Sequence, residues 1–179
     1  MALEAFTVWF TGLSGTGKST LARALSAHLD QASLRHEVLD GDELRRTLCR
    51  DLGFSKEDRD ENIRRIAAVA SDWNDKNVIA IVAAISPYRA ARAMARQQCR
   101  RFAEVFVDCS IETLLRRDPK GLYQRALAGE IQNFSGISDP YEAPENPEIH
   151  IHSGLQSEQQ SLQLLLSRLA ELGYLENKA

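Results

Sequence analysis

The sequence predicts an α/β fold: a parallel sheet of about five strands with helices on both faces. Two observations lead there. Apolar runs of strand length alternate with longer stretches of helical period along most of the 179 residues, the order expected of a parallel sheet. One run, Val78-Ile-Ala-Ile-Val-Ala-Ala-Ile85, is apolar at every position, as in a central strand buried on both sides. A third observation narrows the class. Between the first strand and the first helix stands Gly12-Leu13-Ser14-Gly15-Thr16-Gly17-Lys18-Ser19. This is G-x-x-x-x-G-K-[ST], the phosphate-binding P-loop, in the strand–loop–helix context that gives it meaning. The predicted fold is thus of the P-loop NTPase type.

The elements follow in order. Phe6–Thr11 reads as a buried strand, and 18–31 as a helix with Leu21, Ala22, Ala24, Leu25 and Leu29 on its apolar positions. Glu37-Val-Leu-Asp40 ends a second strand. Residues 55–75 form a long helix, opened by a Ser55/Asp58 capping box and buried along Ile63, Ile66, Ala67, Ala70 and Trp73. After the central strand come a helix at about 88–101 and a fourth strand, Glu104–Asp108. A last amphipathic helix spans 155–172, with Gly173 as its stop signal. One stretch breaks the rhythm: 118–148 holds Pro119, Pro140, Pro144 and Pro147, four of the five prolines. With Lys120, Tyr123, Arg125 and Phe134 among small residues, a region of about 116–148 reads as a mobile lid over a polyanion, with a passive solvated loop as the alternative on composition alone.

Composition bounds the rest. The chain reads as one domain, 1–179, large enough for a real core. A net charge of −3 with no basic block argues against nucleic acid as a main partner. No apolar stretch is long enough for a bilayer, and the first strand starts too early for a leader, so a cytoplasmic location is expected. The three cysteines, Cys49, Cys99 and Cys109, show no metal-ligand spacing and read as buried thiols.

The chemistry gathers where strands end. The loop amides suit phosphate oxygens, Lys18 suits the β/γ-phosphates, and the Ser19 hydroxyl suits Mg²⁺. Asp40-Gly41-Asp42 puts two carboxylates at the sheet's ligand edge. Asp42 can organise Mg²⁺ or accept a proton from an attacking hydroxyl, while either carboxylate can instead cap the next helix. Arg45, Arg46, Arg50, Arg59, Arg64 and Arg65 form a basic group around Asn62, with Phe54 beside it. The arginine fork binds phosphate or sulfate, although any one of these residues taken alone reads first as a solvated surface charge. Ser86 ends the central strand and can donate a hydrogen bond, accept a phosphoryl group, or cap the helix that follows.

Taken together, these motifs resemble the adenylylsulfate (APS) kinase family. The resemblance is carried by Gly12-Leu-Ser-Gly-Thr-Gly-Lys-Ser-Thr20, Asp40-Gly-Asp42, Leu52-Gly-Phe-Ser55, Asp58-Arg59, Glu61-Asn-Ile-Arg-Arg65 and Ile85-Ser-Pro-Tyr-Arg89. Asp118-Pro-Lys-Gly-Leu-Tyr123, Gly129-Glu-Ile-Gln-Asn-Phe134 and Asp139-Pro-Tyr-Glu-Ala-Pro-Glu-Asn-Pro147 complete it, so that it covers about residues 6–148. It implies transfer of phosphate from MgATP to the 3′-hydroxyl of APS, giving PAPS and ADP. It further implies that Gly12 through Thr20 bind ATP and that Ser19 and Asp42 hold Mg²⁺. Asp42, Lys18, Lys120 and Ser86 would be catalytic, the last as a phosphorylatable serine. Asp40, Asp42, Arg45, Phe54, Arg59, Asn62, Ile85, Ser86, Lys120 and Phe134 would bind APS, with Phe54 and Phe134 sandwiching its adenine. A homodimer is implied as well.

The sequence departs from the family pattern at Glu43, where Asn is common, and at Ala84, where Phe is frequent. Two other readings share the loop. A different small-molecule kinase would not be expected to carry the lid motifs, and a non-enzymatic nucleotide switch predicts loss of catalytic groups that are all present here.

Overall fold

The computed structural model describes residues 4–176; the outermost three residues at each end of the 1–179 unit lie outside it. Five strands form one parallel sheet: β1 (Thr7–Thr11), β2 (His36–Asp40), β3 (Ile79–Ala83), β4 (Phe102–Asp108) and β5 (Ile149–His152), in the order β2-β3-β1-β4-β5. β2 and β3 therefore lie on one side of β1, and β4 and β5 on the other. The strand order reverses beside β1, and its carboxyl end opens a crevice, the usual ligand position in such sheets.

Each face is covered by a layer of helices. On one side α1 (Lys18–Gln31) and α7 (Glu158–Glu171) pack together, burying Phe6, Val8, Phe10, Leu21, Leu25, Ile81, Val105 and Leu165. On the other, α3 (Lys56–Asp75) and α4 (Arg89–Gln98) cover Trp9, Ala80, Val82 and Phe102, with Ile63, Ile66, Ala67 and Ala70 supplied by α3 as its apolar stripe predicts. β1 and β3 are buried at every position, which is why their sequences do not alternate.

The helix ends follow local chemistry. Ser55 caps α3 by accepting a hydrogen bond from the Asp58 N–H, and its hydroxyl also donates to the Asp58 carboxylate at 3.0 Å. A reciprocal capping box forms instead at α7, between Ser157 and Gln160.

The structure adds three elements that the sequence pattern did not separate. β5 is a fifth strand, and α5 (Ile111–Arg117) and α6 (Leu122–Leu127) are short helices entering the lid region. α7 starts at Glu158 rather than 155, because the chain first turns through Ser153–Ser157. All three cysteines are free and buried. No described helix is long and apolar enough to cross a membrane.

Candidate active site

The P-loop leaves β1 under steric compulsion. Gly12 has φ +149°, and a Cβ there would stand 2.3 Å from the Val107 carbonyl oxygen, so only glycine lets the loop pass so close to β4. Its outward carbonyls are occupied from within. The Leu13 carbonyl accepts from Lys18 Nζ at 2.7 Å and from Thr16 Oγ1 at 3.1 Å, and the Ser14 carbonyl accepts from the Tyr123 hydroxyl at 2.6 Å. Burial pushes the Lys18 ammonium down to about 8, against the pull of Asp42 and then Asp40. Burial disfavours the charged form, and an arriving polyphosphate would raise this pKa again by favouring the ammonium.

β2 delivers the two carboxylates. Asp40 Oδ1 caps α2 (Gly41–Arg46) by accepting from the Asp42 N–H at 2.9 Å, while its Oδ2 accepts from the Ser19 hydroxyl at 2.5 Å. The capping reading thus holds for Asp40, and the carboxylate that meets Ser19 is Asp40 rather than Asp42. Asp42 instead points into the open, 3.9 Å from Lys120 Nζ of the lid. Hydroxyl and carboxylates together offer only oxygen donors, a set that suits Mg²⁺.

The arginine group is only partly assembled. Arg45 donates to the carbonyls of Leu52 and Gly53 and lies over the Phe54 ring at 4.7 Å. Arg59, buried on α3, donates from Nε to the Phe54 carbonyl at 3.1 Å and from Nη2 to the Asn133 carbonyl, the residue before Phe134. One guanidinium therefore joins the two predicted base-stacking segments. The Phe54 ring is 56% exposed, a large aromatic left facing solvent, and Phe134 packs edge-on to Tyr123 at 5.0 Å. Asn62 is buried, and its Oδ1 has no hydrogen-bond partner; a buried polar atom left unpaired calls for a ligand or water. Arg64 and Arg65 turn away to Glu61 and Asp51.

Of the readings given for Ser86, the structure shows the hydrogen-bond donor and not the helix cap. Ser86 is 2% exposed, at φ +43°, and its hydroxyl accepts from Trp9 Nε1 at 3.1 Å and donates to the Ala84 carbonyl at 3.2 Å. It does not cap α4, whose N-cap is Tyr88. A phosphoryl acceptor needs an open line of approach, and this hydroxyl has none; it anchors the Trp9 indole. The Ile85 carbonyl is likewise engaged, by Thr11 Oγ1 at 2.7 Å.

Sequence reasoning missed what holds the lid. Its front half packs Tyr123, Phe134 and Ile137 against Leu13, Leu114 and Leu115. Its return segment is strapped to α4 by arginines. Arg92, 3% exposed, donates to Glu104 at 2.7 Å and to the carbonyls of Ser86 and Glu142 at 2.6 Å each. Arg89 reaches Ala143 and Glu145, and Arg96 forms a two-pronged bond to Glu148 at 2.7 and 2.8 Å. Burial opposes ionisation of Glu148, yet Arg96 and the Glu104 N–H outweigh it and hold the carboxyl low. The signal was present in the sequence as arginines three or four apart on one helix stripe, facing the acidic run 142–148.

Beside the P-loop lies a cavity of about 310 Å³, lined by Gly15, Gly17, Thr20, Arg117, Gln156 and Ser157 among others. Arg117 and the Ser153–Ser157 turn, neither singled out from sequence, flank it.

Comparison with known proteins agrees with this geometry. The family model described as Adenylylsulphate kinase matches residues 4–152. The adenylyl-sulfate kinase of Picosynechococcus is 53% identical over 175 residues, covering 98% of this chain and 99% of that protein. A probable bifunctional SAT/APS kinase of Sorangium cellulosum is 55% identical over 176 residues, covering 98% of this chain and 30% of that protein. The APS kinase of Mycobacterium tuberculosis, solved in complex with AMPPNP and APS, superposes with a TM-score of 0.88 at 43% identity, over 93% of this chain and 98% of that one. With the family model matched over residues 4–152 and a full-length relative more than half identical, the chain belongs to the adenylylsulphate kinase family.

Proposed function

We propose that the chain is an adenylylsulfate kinase, transferring the γ-phosphate of MgATP to the ribose 3′-hydroxyl of adenosine 5′-phosphosulfate. The observation that carries this reading is Arg59, whose one guanidinium holds both the Phe54 and the Phe134 segments beside the unpaired Asn62. That is a purine-and-anion site built into α3 and closed by the lid.

The triphosphate lies on the amides of Gly12–Thr20 with Lys18 at its β/γ end, and its base and sugar extend toward the cavity beside Arg117. Ser19, the Asp40 carboxylate joined to it, and Asp42 would hold Mg²⁺, which when bound neutralises charge on the phosphates. Arg45, Arg59 and Asn62 hold the phosphosulfate and ribose side of APS, and Phe54 and Phe134 stack on its adenine. Asp42, free of a capping duty, orients the 3′-hydroxyl and takes its proton. The 3′-oxygen attacks the γ-phosphorus in line, the bond to the β–γ bridging oxygen breaks, and ADP leaves. Lys120 stands 3.9 Å from Asp42, where it meets the transferring phosphoryl group. The lid, about 116–148, excludes water. The whole chain acts as one kinase domain in the cytoplasm, as a homodimer.

The test is ADP release with MgATP and APS, against AMP, shikimate and gluconate as acceptors, with the product checked as PAPS. Turnover confined to APS is expected. Tight ATP binding without turnover on APS would reopen the acceptor.

A further inference from the structure

A second cluster of ligating groups lies at the carboxyl ends of β4 and β5. β5 is an edge strand whose residues alternate: Ile149 and Ile151 are buried, while His150 and His152 are exposed on the opposite face. Residues two apart on a strand share a face. On the neighbouring strand, Asp108 pairs in register with His152, and Phe106 with His150. Three donors converge as a result. His150 Nε2 lies 3.2 Å from Asp108 Oδ2, and His152 Nδ1 lies 3.7 Å from the same oxygen. Donor atoms of all three residues fall within 4.8 Å of one another. Phe106 stacks on the His150 ring at 4.8 Å and limits its rotation.

We propose that Asp108, His150 and His152 form a binding site for a zinc-class divalent transition metal, held by two imidazole nitrogens and one carboxylate oxygen. An ion pair with Asp108 needs only one imidazole. The second ring stops beyond hydrogen-bond reach, yet at the spacing of two ligands on one metal. Bonds of about 2.0–2.2 Å in a tetrahedron set neighbouring ligand atoms roughly 3.3–3.6 Å apart, and 3.2 and 3.7 Å straddle that range. Two imidazoles and one carboxylate favour zinc, cobalt or nickel over magnesium and calcium, which take oxygen. Three protein ligands leave a fourth position for water.

The site has a structural consequence independent of the reaction proposed above. The Asp108 carbonyl accepts from the Ser153 N–H at 2.9 Å and its hydroxyl at 3.1 Å. The Gln156 side chain accepts from the His152 N–H at 3.0 Å. Ser153 and Gln156 both line the cavity beside the P-loop, so a metal here stiffens one wall of that cavity.

The test titrates Zn²⁺ alone into the full chain, without nucleotide or Mg²⁺, by calorimetry, with Co²⁺ as a spectroscopic substitute. One equivalent should bind at micromolar concentration, raise the thermal midpoint, and give the d–d absorption of a low-coordinate cobalt site. His152→Asn and His150→Asn should each weaken binding at least about tenfold, with the metal-free midpoint of each variant reporting that it has folded. His28→Asn and Asp40→Asn should leave it unchanged. Absence of saturable binding, or binding that survives both β5 substitutions, would overturn the site.

Discussion

Arg92→Met tests whether the strap on α4 holds the lid. Methionine keeps the length of the stem and removes three charged hydrogen bonds, to Glu104 and to the carbonyls of Ser86 and Glu142. Breaking a buried ion pair costs about 3–5 kcal/mol, because one charge remains without its partner. Here Arg96 Nη2 stands 3.7 Å from Glu104 and keeps part of the compensation, which places the loss near the lower end, about 3 kcal/mol. For a domain of this size each kcal/mol shifts the midpoint by about 2–4 °C, so thermal unfolding should fall by roughly 6–12 °C. Urea titration would give the same loss as a lower midpoint at unchanged slope. The double mutant with Glu104→Gln separates pair from packing: the two losses should fall short of additivity by at least about 1 kcal/mol. The KM for APS should rise as well, since Arg92 joins the Ser86 backbone to the lid's return at Glu142. A loss below about 1 kcal/mol with an unchanged KM would show that the strap is ornamental and that the lid is held by its apolar half.

Four further outcomes follow from the site. Asp42→Ala should lower turnover by about 10²–10⁴ while ATP affinity stays within a few fold, measured by steady-state kinetics and nucleotide titration; near-normal turnover would remove it from the chemistry. Phe54→Ala should raise the KM for APS by about 5- to 150-fold, from 1–3 kcal/mol of lost stacking, and an unchanged KM would take the ring out of the base site. Lys18 has a folded pKa of about 8 against 10.5 in its ordinary state. The unfolded chain therefore binds more protons between those values, and this group's penalty on stability is relieved as pH rises through that window. Triphosphate binding should draw a proton onto Lys18 near pH 8, seen by calorimetry in buffers of different ionisation enthalpy and absent in Lys18→Met. Ser86→Ala should cost about 1–2 kcal/mol by leaving the Trp9 N–H unpaired, with turnover reduced only in step with that loss; abolished turnover in a folded variant would return the hydroxyl to the reaction.

What the sequence made legible was set by range. α1, α3 and α7 were readable because one-sided burial imprints a helical period, β1 and β3 because burial on both faces leaves an unbroken apolar run of strand length, and the P-loop because its spacing lies within eight residues. β5 escaped because Ile-His-Ile-His is four residues long, half exposed, and follows the proline-rich stretch. α6 escaped because six residues are too few to show a helical period. The pairing of Ser19 with Asp40 depends on β2 and α1 meeting at the sheet's edge, and spacing along the chain carries no such information. The partner of Ser86 was hidden for a related reason. The serine's position at the end of β3 was right, but the indole that claims its hydroxyl comes from residue 9, 77 positions away.

The P-loop also shows why motif positions written as x need not be idle. The motif fixes glycines, lysine and serine, and phosphate binding needs amide N–H groups turned toward the anion. Turning the amides inward turns carbonyls outward, and those must find donors. Leu13 gives its carbonyl to Lys18 and Thr16, while Ser14 gives its own to Tyr123 of the lid. The Leu13 side chain completes the contact: Gly136, at φ +88°, lies so close that a Cβ would stand 2.7 Å from Leu13 Cδ2. One short loop therefore presents its donors to the nucleotide and its acceptors and apolar surface to the lid. The loop that would take up phosphate is thus in direct contact with Tyr123 and Gly136, and the segment that holds Gly136 also gives its Asn133 carbonyl to Arg59.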